Sequence, residues 1–222
     1  MSDNVVAIDG PAASGKSTIA NLVAKKLCIP YINTGNMYRA VTLCFLDNKI
    51  DITNFSDAES TLFLKSVVLN YVENNDDEYE IELNGKLVGD SIRTPRVAAE
   101  VSSVAALPSV REFLTTKQRE FAQLGLIVME GRDIGTVVFP KATHKFFLTA
   151  SPLVRAQRRL GQEGETVDGA TIESVAREIE DRDYQDMNRA VAPLKQAQDA
   201  VLVDTSNMNI DQVLETICSN II

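Results

Sequence analysis

Apolar positions along the chain follow two rhythms. Residues 4–9 (NVVAID) form a continuous apolar run that ends at Gly10, the pattern of a strand buried on both faces. Residues 17–27 then switch to helical spacing, with Ile19, Leu22, Val23 and Leu27 on one side. A short strand is predicted at 31–32 and a helix at about 35–46. The same alternation returns late in the chain. Strands are predicted at 126–129, 145–149 and 200–204, charge-rich helices at 152–162 and 171–189, and a closing helix at 210–221 through Ile210, Val213, Leu214, Ile217 and Ile221. Strands alternating with helices predict an α/β fold of three layers, a parallel central sheet covered on both faces.

The middle of the chain breaks that rhythm. Residues 67–72 and 78–83 read as strands, and Asn84-Gly85 joins the second to 86–88, a strong type I′ hairpin signal. Helices are predicted at about 95–106 and at 108–124. The second carries Val110, Phe113, Leu114, Phe121 and Leu124 on its apolar face and stops at Gly125. A small antiparallel insert therefore interrupts the parallel architecture.

Charge marks the same insert. The 222-residue chain has 22 basic and 31 acidic residues, a net charge of −9. Residues 51–90 hold ten acids and two bases, so nearly all of the excess sits there, densest between Glu73 and Glu82. No EF-hand spacing is present, and a solvated hairpin face is the expectation. An acidic chain is a poor ligand for duplex DNA, so no nucleic-acid partner is expected. Composition is that of a folded globular chain, 45% hydrophobic and 24% charged. No run of about 20 apolar residues is present, so no membrane association is predicted. Met1 to Asn4 contain no basic leader, and a cytoplasmic location is expected. Cys28, Cys44 and Cys218 show no paired spacing and are predicted as reduced, buried thiols. One histidine, His144, cannot build a multi-histidine metal site.

Against that background one motif carries chemistry. Gly10-Pro11-Ala12-Ala13-Ser14-Gly15-Lys16-Ser17 spells G-x-x-x-x-G-K-[ST] between a predicted strand and a predicted helix. Its four fixed positions arise by chance in roughly under 1% of chains of this length. The glycines let the backbone curl so that successive N–H groups face one anion, and the helix start adds positive potential. Lys16 is positioned for β- and γ-phosphates, and the Ser17 hydroxyl for Mg²⁺.

A GTPase needs an N-K-x-D element to read guanine, and a GTPase is not the expectation. A kinase needs further cations for the transferred phosphoryl group. Arginines supply them: Arg39 near a helix start, Arg132 after a strand, and Arg155, Arg158 and Arg159 at i, i+3, i+4. Gly161 and Gly164 follow, so the last three are read as a mobile lid that carries arginines onto ATP phosphates. Arg182, Asp186 and Arg189 share another helical face. That face is either an intrahelical ion-pair ladder or a polar wall against an acceptor nucleotide.

Six segments together resemble the bacterial cytidylate kinase family: DGPAASGKST (9–18), TGNMYR (34–39), IRTPRVA (92–98), EGRDIGTVVFP (130–140), RDYQDMNRAVAP (182–193) and DAVLVDT (199–205). The resemblance implies a P-loop kinase with a core at about 1–33, 107–150 and 168–222. It also implies an acceptor-binding lobe at about 34–106 and a lid at about 151–167. It implies transfer of phosphoryl from ATP, with Mg²⁺, to CMP or dCMP. No long exposed apolar face is evident in the sequence, so a monomer is expected. Residues 10–18, Thr18 included, match the ATP loop. Thr34, Arg111, Asp133 and Arg189 match cytosine-reading positions. Ser102, Arg182 and Asp186 match ribose positions, and Arg39 and Arg132 match acceptor-phosphate positions. Asn33 stands where the family often has Asp. The alternatives are another P-loop kinase acting on UMP, AMP or shikimate, or a nucleotide-binding regulator without turnover.

Overall fold

The computed structural model describes residues 3–73, 79–162, 166 and 169–221. The chain divides into two compact units, one of Met1–Asn33 with Ala122–Ile222 and one of Thr34–Phe121.

The first unit is built on a five-stranded parallel sheet. Its strands are β1 (Asp3–Asp9), β2 (Tyr31–Asn33), β6 (Ile127–Gly131), β7 (Ala142–Thr149) and β8 (Val201–Asp204), in the order β2-β6-β1-β7-β8. Central β1 is buried from Val5 to Asp9, as its unbroken apolar run requires. Helices α1 (Lys16–Leu27), α6 (Pro152–Leu160), α7 (Ile172–Asn188) and α8 (Ile210–Cys218) belong to the same unit. Ile19, Ala20 and Val23 of α1 join Val6, Ile8, Phe146, Leu148, Val213 and Ile217 in one core. Fully burying each large aliphatic side chain contributes about 1.5–3 kcal/mol, so this layer supplies much of the unit's stability.

The second unit contains α2 (Thr34–Asp47), α3 (Asp57–Leu64), the antiparallel sheet β3 (Leu69–Glu73), β4 (Tyr79–Leu83) and β5 (Lys86–Leu87), then α4 (Pro95–Ala106) and α5 (Pro108–Glu120). Asn84 and Gly85 both take positive φ, 50° and 78°, as a type I′ turn demands. The Asn84 side chain also accepts from Val68 N–H at 2.8 Å, which ties the turn to the start of β3. Phe45, Phe55 and Phe63 form an edge-to-face triad beside α2 and α3.

The predicted elements match these with shifts of a few residues, and three features depart from expectation. Helix α3 falls inside the acidic segment, where no helix was predicted. Ser56 and Glu59 close a capping box at its start. Strand β7 begins at Ala142, three residues earlier than its apolar run. Buried Lys145 is accommodated there because its Nζ donates to Pro140 O at 2.6 Å and to Asp199 at 2.8 Å. Cys28 is exposed rather than buried: it ends α1 in a left-handed conformation, φ 53°, and its N–H caps carbonyls of the last turn. Cys44 and Cys218 are buried free thiols. Glu78 of the predicted 78–83 strand, and Gly164 with most of 163–168, lie outside the described residues. Among the described residues no helix is long and apolar enough to cross a membrane.

Candidate active site

All strands of the large sheet are parallel, so their carboxyl ends open on one edge, where ligands of such sheets bind. Four connections leave that edge: Gly10 to Gly15 after β1, Arg132 and Asp133 after β6, Ala150 and Ser151 after β7, and Thr205 after β8. Asp9 pairs with Gly131 on one side and Phe147 on the other, so residues 122 and 138 positions apart become neighbours through strand pairing alone.

The loop after β1 leaves little room for side chains. A Cβ added at Gly10 would lie 2.0 Å from the Leu148 carbonyl oxygen, so only glycine fits. Gly15 takes φ 88° and starts α1 without any side-chain cap, and no acidic residue occupies the first turn. Helices α3, α4, α6, α7 and α8 all carry side-chain caps. The start of α1 thus has no side-chain acceptor for its N–H donors, the arrangement that anion sites use. Buried Lys16 bends back over the loop, its Nζ donating to Pro11 O at 2.6 Å and to Ser14 Oγ at 3.2 Å. Burial, with the charge of Arg132 beside it, pushes the Lys16 ammonium down to about 7 against the pull of Glu130 and Asp9. Ser17 and Thr18 are exposed on the first turn of α1.

The end of β6 is organised by carboxylates. Asp9 accepts from the N–H groups of Ile134 and Gly135, both at 2.8 Å, and so anchors a single wide turn at Ile134–Val138. Burial outweighs those two donors and raises the Asp9 carboxyl to about 6. Arg132 Nε donates to Asp186 Oδ2 at 2.8 Å. Asp186 also faces Arg189 Nη1 at 3.5 Å, and Arg189 Nη2 lies 3.4 Å from Asp133 Oδ1. Burial opposes ionisation of Asp186, but Arg132, Arg182 and Arg189 together hold it below the usual carboxylate range. Burial likewise opposes the charge on Arg132, and Asp186 and Glu130 carry it above the ordinary guanidinium value. Arg132, Asp133, Asp186 and Arg189 therefore form one cross-element chain of charges, more than an intrahelical ladder. Half-buried Arg182 stands one turn before Asp186.

The three arginines of α6 part company. Arg158 donates to Thr205 Oγ1 and to Thr205 O, each at 2.8 Å, and its Nη1 lies 3.8 Å from where a Cβ on Gly15 would stand. Arg159 is half-buried on the same helix. Arg155 is turned inward to Ala12, Ala150 and Asp183.

In the second unit, buried Thr34 opens α2, and Arg39 on the same helix donates to Ile92 O at 3.3 Å. Buried Arg111 of α5 lies over the Tyr38 ring, 5.5 Å from its centroid, and donates to Ala105 O at 3.3 Å. Ser102 is half-buried on α4. Contacts of α2 with both α4 and α5 bring the four predicted residues onto adjoining helices.

The letters N-K-x-D do occur, at Asn48-Lys49-Ile50-Asp51, and their surroundings dismiss the guanine reading. They close α2 in the second unit. Asn48 bonds back to Cys44 O at 2.8 Å, and Asp51 caps the next turn through Thr53 N–H at 3.1 Å. Sequence reasoning missed Asp183, whose carboxylate accepts from Ala12 N–H at 3.0 Å, and Asp9 as the anchor of the 134–138 turn. It also missed Glu130, which accepts from Tyr31 Oη at 2.7 Å, with Asn33 Nδ2 donating to that hydroxyl at 3.1 Å.

A family model described as cytidylate kinase matches residues 6–222. A cytidylate kinase of Clostridium botulinum (strain Loch Maree) is 47% identical over 214 residues, covering 96% of this chain and 95% of that protein. One of Limosilactobacillus reuteri (strain DSM 20016) is 46% identical over 213 residues, covering 96% and 92%. Among solved structures, a shikimate kinase from Bacteroides thetaiotaomicron superposes with a TM-score of 0.50 at 12% identity, covering 98% of this chain and 97% of that one. At that identity the likeness concerns the fold.

Proposed function

The chain belongs to the cytidylate kinase family, and from that premise we propose how its residues divide the transfer of the ATP γ-phosphoryl group to CMP or dCMP. The observation that carries the assignment is the uncapped start of α1 behind Gly15, with buried Lys16 over the loop and Arg132 close enough to depress its ammonium. N–H donors without a side-chain cap and two cations at neighbouring strand ends suit a triphosphate.

Residues 10–18 hold ATP. Lys16 exchanges Pro11 O and Ser14 Oγ for β- and γ-phosphate oxygens. Arg158 and Arg159 serve the donor side from α6, within a lid at about 151–167. Mg²⁺, held by Ser17, would supply charge that neutralises the triphosphate. The residues present fit it: the Ser17 hydroxyl is exposed on the first turn of α1, and one hydroxyl suffices for an ion that keeps waters and phosphate oxygens as its other ligands. Among the described residues no cluster of three or more histidine, cysteine or carboxylate side chains offers an alternative cage.

On the acceptor side, Arg39 and Arg132 take the CMP phosphate. Ser102, Arg182 and Asp186 take the ribose. Thr34, Arg111, Asp133 and Arg189 take the base. Cytosine offers O2 and N3 as acceptors and an amine as donor, which arginine and aspartate complement. Uracil presents an oxygen and an N–H there, and buried groups left without partners reject it. No general base is required, because the attacking phosphate oxygen is ionised near neutral pH. Catalysis is then alignment and charge neutralisation. We read the protein as a monomer, which sedimentation tests directly.

The test is ADP release with CMP, dCMP, UMP, AMP and shikimate as acceptors. Turnover with CMP or dCMP well above the others supports the reading. Preference for AMP, UMP or shikimate, or ADP release with none of the five, overturns it.

A further inference from the structure

Both backbone polar groups of Ala12 are gripped, one in each of the two peptide units that flank its Cα. Its N–H donates to Asp183 Oδ1 at 3.0 Å, and its carbonyl accepts from Arg155 Nη1 at 3.1 Å. Arg155 Nη1 also pairs with Asp183 Oδ2, and Arg155 Nε donates to Ala150 O at 3.0 Å where β7 ends. Ala12, Arg155 and Asp183 are 2%, 6% and 5% exposed. Ala12, Ala156, Val175 and Ile179 pack as an apolar cluster beside them. The result is a closed ring, Ala12 to Asp183 to Arg155 and back, that joins the phosphate loop to α6 and α7 at one residue.

The Ala12 N–H is thus already satisfied by the protein, which leaves the amides of Ala13 and beyond to cradle phosphate. A lone carboxylate this close to the loop would repel a triphosphate. Arg155 cancels that charge, and a buried ion is tolerated only with such a partner. We infer that Asp183 is a positioning residue for the phosphoryl donor: with Arg155 it fixes the two peptide units that flank Ala12, so that the following N–H groups hold their orientation toward ATP. Arg155 acts from inside the loop's support instead of on ATP phosphates, and the placement of α6 and α7 reaches the loop through this ring.

The inference rests on the loop being the ATP site, and its test separates the two. Wild type that fails to bind ATP defeats the loop reading itself. Given ATP binding, Asp183→Asn keeps an acceptor for the Ala12 N–H but breaks the ion pair. It should raise KM for ATP by about fivefold or more and lower kcat, with KM for CMP within about twofold of wild type. Arg155→Met leaves the Asp183 charge without its partner and should be worse for ATP. The double variant should regain ATP affinity relative to Arg155→Met. A folded Asp183→Asn protein with only a lowered Tm, or with ATP and CMP affected equally, overturns the proposal. Amide exchange of wild type gives an answer even if the variants do not fold. Ala12 N–H should be protected before ATP is added, with Ala13 and Gly15 responding to ATP. An unprotected Ala12 that becomes protected only with ATP overturns it.

Discussion

Binding of ATP should draw a proton onto Lys16. In the ligand-free protein its ammonium titrates at about 7, because burial strips it of water and Arg132 adds like charge, while its hydrogen-bond partners Pro11 O and Ser14 Oγ are neutral. At pH 8 roughly nine-tenths of the molecules then carry Lys16 uncharged, and at pH 6 roughly one-tenth. Phosphate oxygens favour the charged form, so ATP raises the pKa. Uptake on binding should approach about 0.9 proton at pH 8 and about 0.1 at pH 6 from this group. Titration calorimetry in two buffers of different ionisation enthalpy reads the number directly, and at pH 8 ATP contributes few protons of its own. Lys16→Gln should abolish the difference. The same depression has a stability sign. The folded state binds fewer protons than the unfolded one between about pH 7 and 10.5, so ligand-free stability relative to Lys16→Gln should rise with pH across that window, by at most about 1.4 kcal/mol per unit. Uptake at pH 8 no larger than at pH 6 would show that Lys16 is already charged without ATP, and the reasoning from burial would fail.

Three further outcomes are expected. Arg132→Ala removes a cation fixed by Asp186 at 2.8 Å and should lower kcat by at least about tenfold in steady-state assays; unchanged turnover refutes its role on phosphate. Asp186→Ala should harm turnover of one of CMP and dCMP more than the other if the carboxylate reaches the sugar, whereas equal losses in kcat/KM argue for its service to Arg132 and Arg189 alone. Gly10→Ala puts a methyl 2.0 Å from the Leu148 carbonyl, a backbone clash that should cost about 3 kcal/mol or more in urea unfolding. Stability within about 0.5 kcal/mol of wild type would mean that β1 and β7 separate more easily than their pairing implies.

Periodicity made the sheet legible because strands buried on both faces carry unbroken apolar runs, as β1 does at Val5–Ile8 and β6 at Ile127–Met129. Thr143 and His144 hid the start of β7, since these polar residues precede its apolar run, and the burial of Lys145 beside them depends on Asp199, 54 positions away. Helix α3 left a readable sign, Ser56 and Glu59 three apart, but the surrounding acids drew attention to charge instead. In the site, residues that face outward from one helix could be grouped by spacing. Asp183 lies one residue from Arg182 and on another side of α7, and its partner Ala12 is 171 positions distant. No local pattern encodes that meeting. The N-K-x-D letters show the converse, a pattern present without the surroundings that give it meaning.

The strand made first is the centre of the sheet, and both of its partners are made much later. Val5 pairs with Ile127 on one flank and Val6 with His144 on the other, so β1 leaves the ribosome long before either neighbour exists. At about 5–20 residues per second the gap to Ile127 lasts roughly 6–24 s. Through that interval the apolar run Val5–Ile8 has both strand edges open, and the burial it has in the finished sheet waits on residues translated more than a hundred positions later.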